Sequence, residues 1–238
     1  MLVAGFPAGS WGTNCYLAAL EAGSECVIVD PGMDSVDGIA ELIAEHNLRP
    51  IAVLLTHGHI DHMWSVVPVA DGYGIPALVH SADRHLLADP AAGISSDSRE
   101  AIARMVGGSY DFVEPADVVE IGDGVALDLA GMTWRVDHAP GHTAGSVTFH
   151  RDRDGDTPPL LVSGDVLFAG SIGRTDLPGG DTEAMMRSLS RVVLPLTDDT
   201  IVLPGHGEST SIGRERATNP FLVGLLEGDR MQPTPRGL

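Results

Sequence analysis

Four residues that could hold a metal ion crowd into six positions: His57, His59, Asp61 and His62, within the run LLTHGHIDHMW from Leu54 to Trp64. Imidazole nitrogen and carboxylate oxygen are the donors that zinc, iron and manganese take, at about 2.0–2.2 Å for zinc. As a purely structural feature, buried histidines beside a carboxylate would each need compensating hydrogen bonds. His57 and His59 lie two apart, so in an extended loop they project the same way. Asp61 and His62 begin the following helix and face a second point nearby, so the pattern predicts two ions rather than one.

A dinuclear centre needs further donors. Three strand ends offer them: His142 in HAPGHTAGS, Asp165 in LLVSGDVLF and His206 in VLPGHGEST. In each, an apolar run stops at a small-residue turn that presents a ligand-type side chain, and glycine lets the backbone approach an ion without a Cβ clash. A single histidine after a strand is ordinarily a surface or satisfied core residue. The weight rests on the four matching strand ends together.

The elements that must position these groups follow from periodicity. Leu2 to Phe6, Cys15 to Leu20 and Cys26 to Asp30 read as strands, Ser35 to Asn47 as a helix, and Ile51 to Leu55 as a buried strand after Pro50. A helix from Asp61 to Tyr73, a strand Ala77 to His80 and a polar helical stretch from Ser81 to about Gly107 follow. Then come strands at 117–121, 125–129, 133–138, 146–150 and 160–163, a helix at 181–193, a strand at 200–203 and a helical tail from Ser211. Strand-rich halves flanked by helices predict an α/β fold of two packed sheets with helices outside. One domain over residues 1–238 is expected, with a helical insertion at about 81–115 in which Ser95 to Met105 is placed either to shape the substrate or to form a plain surface helix.

The net charge of −19 disfavours nucleic acid and anionic lipid as partners. No run approaches the roughly 18 apolar residues of a membrane span, and the first residues lack a basic segment before an apolar one, so a soluble, cytoplasmic protein is expected. Cys15 and Cys26 sit in apolar strand-like runs and read as buried thiols. The sequence contains no lysine, so any cationic substrate clamp must be an arginine. Arg174, after a Gly-rich turn, is the candidate for a substrate carboxylate; a salt bridge to Asp176 or Asp181 is the competing reading. Asp30 either hydrogen-bonds a metal-bound histidine or forms a plain Asp-Pro turn. His46, His80, His85, His138 and His150 carry no assignable role.

THGHIDH, PGHT, SGDVLF and PGHG, in this order, resemble the metallo-β-lactamase fold superfamily over about Leu2 to Phe221. The resemblance implies a four-layer αβ/βα sandwich of mixed sheets with the site at its rim. It implies that His57, His59 and His142 bind one ion and that Asp61, His62 and His206 bind the other, with Asp165 bridging. Two such ions, most simply zinc, with iron or manganese as alternatives, would lower the pKa of a shared water and polarise a carbonyl. GDVLF followed by GSIGRTDLPGGD is similar to glyoxalase II, the hydroxyacylglutathione hydrolases, which implies cleavage of a small hydroxyacyl thioester such as S-lactoylglutathione, with Asp61 and Asp165 catalytic. β-Lactamase members commonly carry Cys or His at one second-metal position, whereas this chain carries Asp165. Two departures bear on the thiol carrier: only about 30 residues follow His206 where the better-known glyoxalase II enzymes continue into a helical glutathione-binding domain, and the spacing from His62 to His142 is longer.

Three alternatives stand beside this one. GRTD at 173–176 is similar to the persulfide dioxygenases, which implies a single iron on His57, His142 and Asp165 and oxidation by O₂. Those enzymes tend to carry Cys where Ile172 stands and AHDY where this chain reads GHGE. A lactonase on the same ions is the second alternative. The third, a metal-stabilised binding protein, requires a closed coordination shell.

Overall fold

Alternation of apolar side chains between two faces builds two six-stranded sheets, and the donors emerge where their strands end. The structure is a computed structural model that describes residues 1–95, 100 and 112–231, with side chains described to 227. The first sheet runs in sequence order through β1 (Leu2–Ala8), β2 (Thr13–Ala19), β3 (Glu25–Val29), β4 (Arg49–Leu54), β5 (Ala77–His80) and β6 (Val118–Ile121). Its first three strands form an antiparallel meander and β3 to β6 pair in parallel. The second sheet runs β7 (Ala126–Leu129), β8 (Met132–His138), β9 (Val147–Arg151), β10 (Leu160–Gly164), β11 (Ile201–Pro204) and β12 (Thr210–Ser211). Within it only β10 and β11 are parallel.

The period of two sorts the core into layers. Val27, Val29, Ala52 and Leu54 point inward and meet Trp134, Val136, Phe149 and Val162 of the opposing sheet. Their neighbours Ile28 and Val53 point outward under α1 (Val36–His46) and the following helices, packing with Ile39, Val66 and Val69. On the other side Leu161 and Val202 pack beneath Met185 and Leu189. The expected αβ/βα sandwich is therefore the fold. Cys15 and Cys26 are free and buried as expected, and burial pushes the Cys26 thiol up to about 12. Among the described residues no helix is long and apolar enough to cross a membrane.

Three expectations change. The helix from Asp61 to Tyr73 is two helices, α2 (Ile60–Met63) and α3 (Val66–Tyr73). The Ser65 amide, which would continue the ladder, donates instead to the carbonyl of Pro31 at 2.9 Å. Pro50 does not precede β4 but lies inside it, next to a register shift opposite Cys26 and Val27 that accommodates its missing N–H. The helical stretch after Ser81 shows, among the described residues, two 3-10 turns at Arg84–Leu87 and Pro90–Gly93 and a helical Glu100. Residues 96–99 and 101–111 of the expected insertion, and with them nearly all of Ser95 to Met105, lie outside the described residues. After β10 come α4 (Thr182–Ser188), continued by a π-helical turn at Leu189–Val193, then α5 (Ile212–Thr218) and α6 (Pro220–Met231).

Candidate metal centre

The loops that leave β4, β8, β10 and β11 converge on one rim and bring together all seven expected donors. Leaving β4, His57 lies in the loop and His59 caps α2 in extended conformation (φ −67°, ψ 145°), while Asp61 and His62 occupy its only turn. His142, Asp165 and His206 arrive from the second sheet. His59 Nδ1 lies 2.8 Å from His142 Nε2, and His62 Nε2 lies 3.2 Å from His206 Nε2. His206 Nε2 is 3.1 Å from Asp61 Oδ2. Asp165 stands between these groups, with Oδ1 3.3 Å from His62 Nε2 and Oδ2 3.5 Å from His142 Nε2. Three sets can each surround a cation, with donor atoms within 4.8 Å of one another: His57, His59 and His142; Asp61, His62 and His206; and His57, His62 and Asp165.

The hydrogen bonds on the far side of each ring decide which nitrogen is free. His62 Nδ1 donates to Asp30 Oδ2 at 2.9 Å and His142 Nδ1 to the Arg174 carbonyl at 2.7 Å. Thr56 Oγ1 gives its proton to Asp30 Oδ2 at 2.7 Å and so accepts from His57 Nδ1 at 3.0 Å. In the neutral tautomer that these bonds select, each of the three rings aims the Nε2 lone pair at the centre. Among the described residues, His57 Nε2 and Asp165 Oδ1 are buried with no hydrogen-bond partner, a costly state for a structural cluster and the normal state of a ligand. Donor pairs of a tetrahedral zinc site lie about 3.4 Å apart when bonds are 2.0–2.1 Å, and the spacings here bracket that value. The residues fit a pair of metal ions.

The electrostatics agree. Burial, reinforced by His62 and His142, pulls His57 well below the ordinary imidazole value, and burial with His142 brings His59 down to about 3. Both rings are therefore neutral donors at physiological pH. His62 is held well above the ordinary value: burial opposes its charge, but the carboxylates of Asp165 and Asp61 outweigh it. A site that concentrates this much negative potential on one buried nitrogen favours a cation there, proton or metal.

Asp30 is more than a plain turn, since its carboxylate holds the His62 ring. It is 1% exposed and its backbone is left-handed (φ 47°). It accepts from the Thr56 amide at 2.8 Å, the Thr56 hydroxyl and His62. Asparagine adopts the same backbone readily, so Asp30→Asn tests the acceptor alone. Its expected effect is a metal affinity about 10–100-fold weaker in a chelator-competition titration; an unchanged affinity would refute the orienting role.

Arg174 makes a two-point ion pair with Asp176 at 2.7 and 2.8 Å, and both are exposed. It nevertheless lines the cleft over the donors, about 440 Å³, together with Trp11, Ile94, Phe168 and Leu177. Among the described lining residues, no titratable group outside the seven donors faces this cleft except Arg174. Of the histidines without an assigned role, His80 and His138 stack at 4.0 Å, outside the donor set. Asp83 was not anticipated. Its carboxylate, 1% exposed, accepts from Gly58, Gly145 and Thr143, residues that flank His57, His59 and His142. A lone aspartate in a polar stretch carries no local signal that could have revealed it.

A family model of the metallo-beta-lactamase superfamily matches residues 8–206. The hydroxyacylglutathione hydrolase GloC of Haemophilus influenzae is 33% identical over 218 residues, covering 91% of this chain and 95% of that protein. Among solved structures, BLEG-1 B3 metallo-beta-lactamase superposes with a TM-score of 0.80 at 38% identity, over 94% of this chain and all of that one. TTHA1623 in a di-iron-bound form superposes with a TM-score of 0.73 at 36% identity, over 91% of this chain and 98% of that one.

Proposed function

The chain belongs to the metallo-beta-lactamase superfamily, and from that premise we propose that it is a cytoplasmic, dinuclear metal-dependent hydrolase of small thioesters. His57, His59 and His142 would hold one ion, and Asp61, His62 and His206 the other, with Asp165 shared. The observation that carries this reading is the position of Asp165, whose Oδ1 lies 3.3 Å from His62 Nε2 and whose Oδ2 lies 3.5 Å from His142 Nε2. Zinc is the first choice for an N- and O-donor set of this kind, while the di-iron neighbour keeps iron open. Bound divalent ions would lower the pKa of water in the cleft and polarise the substrate carbonyl.

The protein's own residues supply the rest. Asp61 is the more exposed of the two carboxylates, with its side chain 22% accessible, and the Thr13 hydroxyl holds Oδ2 at 3.2 Å. On this reading it would receive the proton of the attacking water. Trp11, Ile94, Phe168 and Leu177 give the cleft an apolar wall that receives the acyl or thiol portion and excludes bulk water. The leaving group explains the preference for thioesters. An amide nitrogen must be protonated to depart, whereas a thiol of pKa about 8.5 leaves as the thiolate, and the described lining residues offer no separate general acid. Water is consumed, the C–S bond breaks, and a carboxylic acid and a thiol result.

The test is turnover by the metal-loaded chain of S-lactoylglutathione, other acyl thioesters, a lactone and a β-lactam. Thioester cleavage at least about tenfold faster in kcat/KM than the other classes is expected, a difference of about 1.4 kcal/mol in the barrier. Preferential lactone or β-lactam cleavage would replace this reading with another hydrolase of the same superfamily.

A further inference from the structure

Two buried carboxylates stand behind the donors, and they hold them in different ways. Asp30 reaches His62 directly and His57 through Thr56. Asp83 touches no donor. It lies just after β5, and its backbone starts the first 3-10 turn, with the Leu86 amide donating to its carbonyl at 2.9 Å. Its Oδ2 accepts from the Gly58 amide at 2.9 Å and the Thr143 hydroxyl at 2.6 Å, and its Oδ1 accepts from the Gly145 amide at 2.7 Å. Gly58 separates His57 from His59, and Thr143 and Gly145 follow His142. One side chain therefore joins the loop after β4 in the first sheet to the loop after β8 in the second.

The joint is tight as well as bonded. A Cβ on Gly145 would stand 2.5 Å from Asp83 Cγ, and a Cβ on Gly58 would stand 3.0 Å from the Asp83 carbonyl. Thr143 is held a second time, by Ser146, through its amide at 3.0 Å and its hydroxyl at 2.8 Å. Three of the other four donors are secured elsewhere. Asn14 donates to the carbonyls of Pro204 and Gly207 on either side of His206, Thr13 binds Asp61, and Asp30 binds His62.

We infer that Asp83 is a positioning residue that sets the spacing of His57, His59 and His142, and hence the affinity of that one ion position, without contacting the ion. The inference rests on the dinuclear reading above. It follows from connectivity: the three donors come from two sheets, and this carboxylate bonds to the loops of both, alongside the Val147 amide that donates to the Thr56 carbonyl at 2.8 Å. Replacing it with asparagine keeps the shape but turns one of two acceptors into a donor, which then faces either the Gly145 amide or the Gly58 amide and Thr143 hydroxyl. The loops must part on one side, and the affected donors belong to a single set.

The experiment is a zinc titration of the full chain against a chromophoric chelator, for wild type, Asp83→Asn and Thr143→Val, each also in a His206→Ala background that removes a donor from the other set. Wild type is expected to take two equivalents. Asp83→Asn is expected to keep one at near-native affinity and to bind the other about 10–100-fold more weakly. In the His206→Ala background the remaining, tighter ion should weaken by the same factor. Thr143→Val deletes one of Asp83's three hydrogen bonds, together with the hydroxyl contact to Ser146, and preserves shape, so it should act in the same direction by less, and it carries the test if Asp83→Asn does not fold. Equal weakening of both positions, or unchanged affinities in a folded variant, would overturn the role of Asp83 while leaving the two-ion reading intact. A wild-type chain that takes fewer than two equivalents would instead overturn the dinuclear reading and the selectivity built on it.

Discussion

Asp165→Ala is expected to lower kcat by on the order of 1,000-fold and to reduce metal content, while the circular dichroism spectrum stays native. The size follows from what the side chain connects. The oxygens of Asp165 approach both His62 and His142, and Oδ2 also lies 3.7 Å from His206. Losing about 4 kcal/mol of transition-state stabilisation, the scale of electrostatic support at such centres, corresponds to about three powers of ten in rate. The fold should survive because Asp165 lies just past the end of β10, outside all three apolar clusters. Elemental analysis and turnover on one preparation check the result, and a fully active variant with native metal content would refute the shared-ligand role.

Gly205→Ala is expected to cost about 100-fold in kcat although the residue has no side chain and is not a donor. An added Cβ would collide with Asp165 Oδ1 and would stand 2.6 Å from His62 Cε1 and 3.2 Å from the Gly164 carbonyl carbon. The backbone cannot step aside, because the Gly205 amide donates to Gly164 at 2.9 Å and the Gly205 carbonyl accepts from the Asn14 amide at 2.7 Å. The displacement therefore falls on Asp165 and His62, and a misplacement of about 1 Å is worth roughly 100-fold. Gly207 is the control. It has a left-handed φ of 78° with open space around it, so alanine there costs about 1–2 kcal/mol of stability without moving a donor. Equal kcat values for the two variants would contradict the steric argument.

The seven donors were legible before any fold was known because ligand-type residues recur where apolar runs stop at glycine or Pro-Gly. The chemistry of imidazole and carboxylate then limits what such a cluster can do. The same signal extended to Asp30, whose Asp-Pro-Gly setting left two readings that only the bond to His62 separates. Asp83 was beyond reach, since its partners lie 25, 60 and 62 residues away and two of the three bonds are to backbone amides. The bond from His142 to the Arg174 carbonyl is hidden for a related reason: any residue type offers a carbonyl, so sequence cannot mark which one is used. The break between α2 and α3 was missed because a tertiary bond from Ser65 to Pro31 overrides a helical apolar pattern. β12 is a two-residue strand, too short to show alternation at all.

The central claim is that one rim of this sandwich holds two ions for hydrolysis. Elemental analysis of the purified full chain, with oxygen uptake followed on a thiol persulfide, tests it most directly. The account predicts about two equivalents of zinc, or of another divalent metal, per chain and no oxygen consumption. A single iron per chain with thiol-dependent oxygen uptake would contradict it.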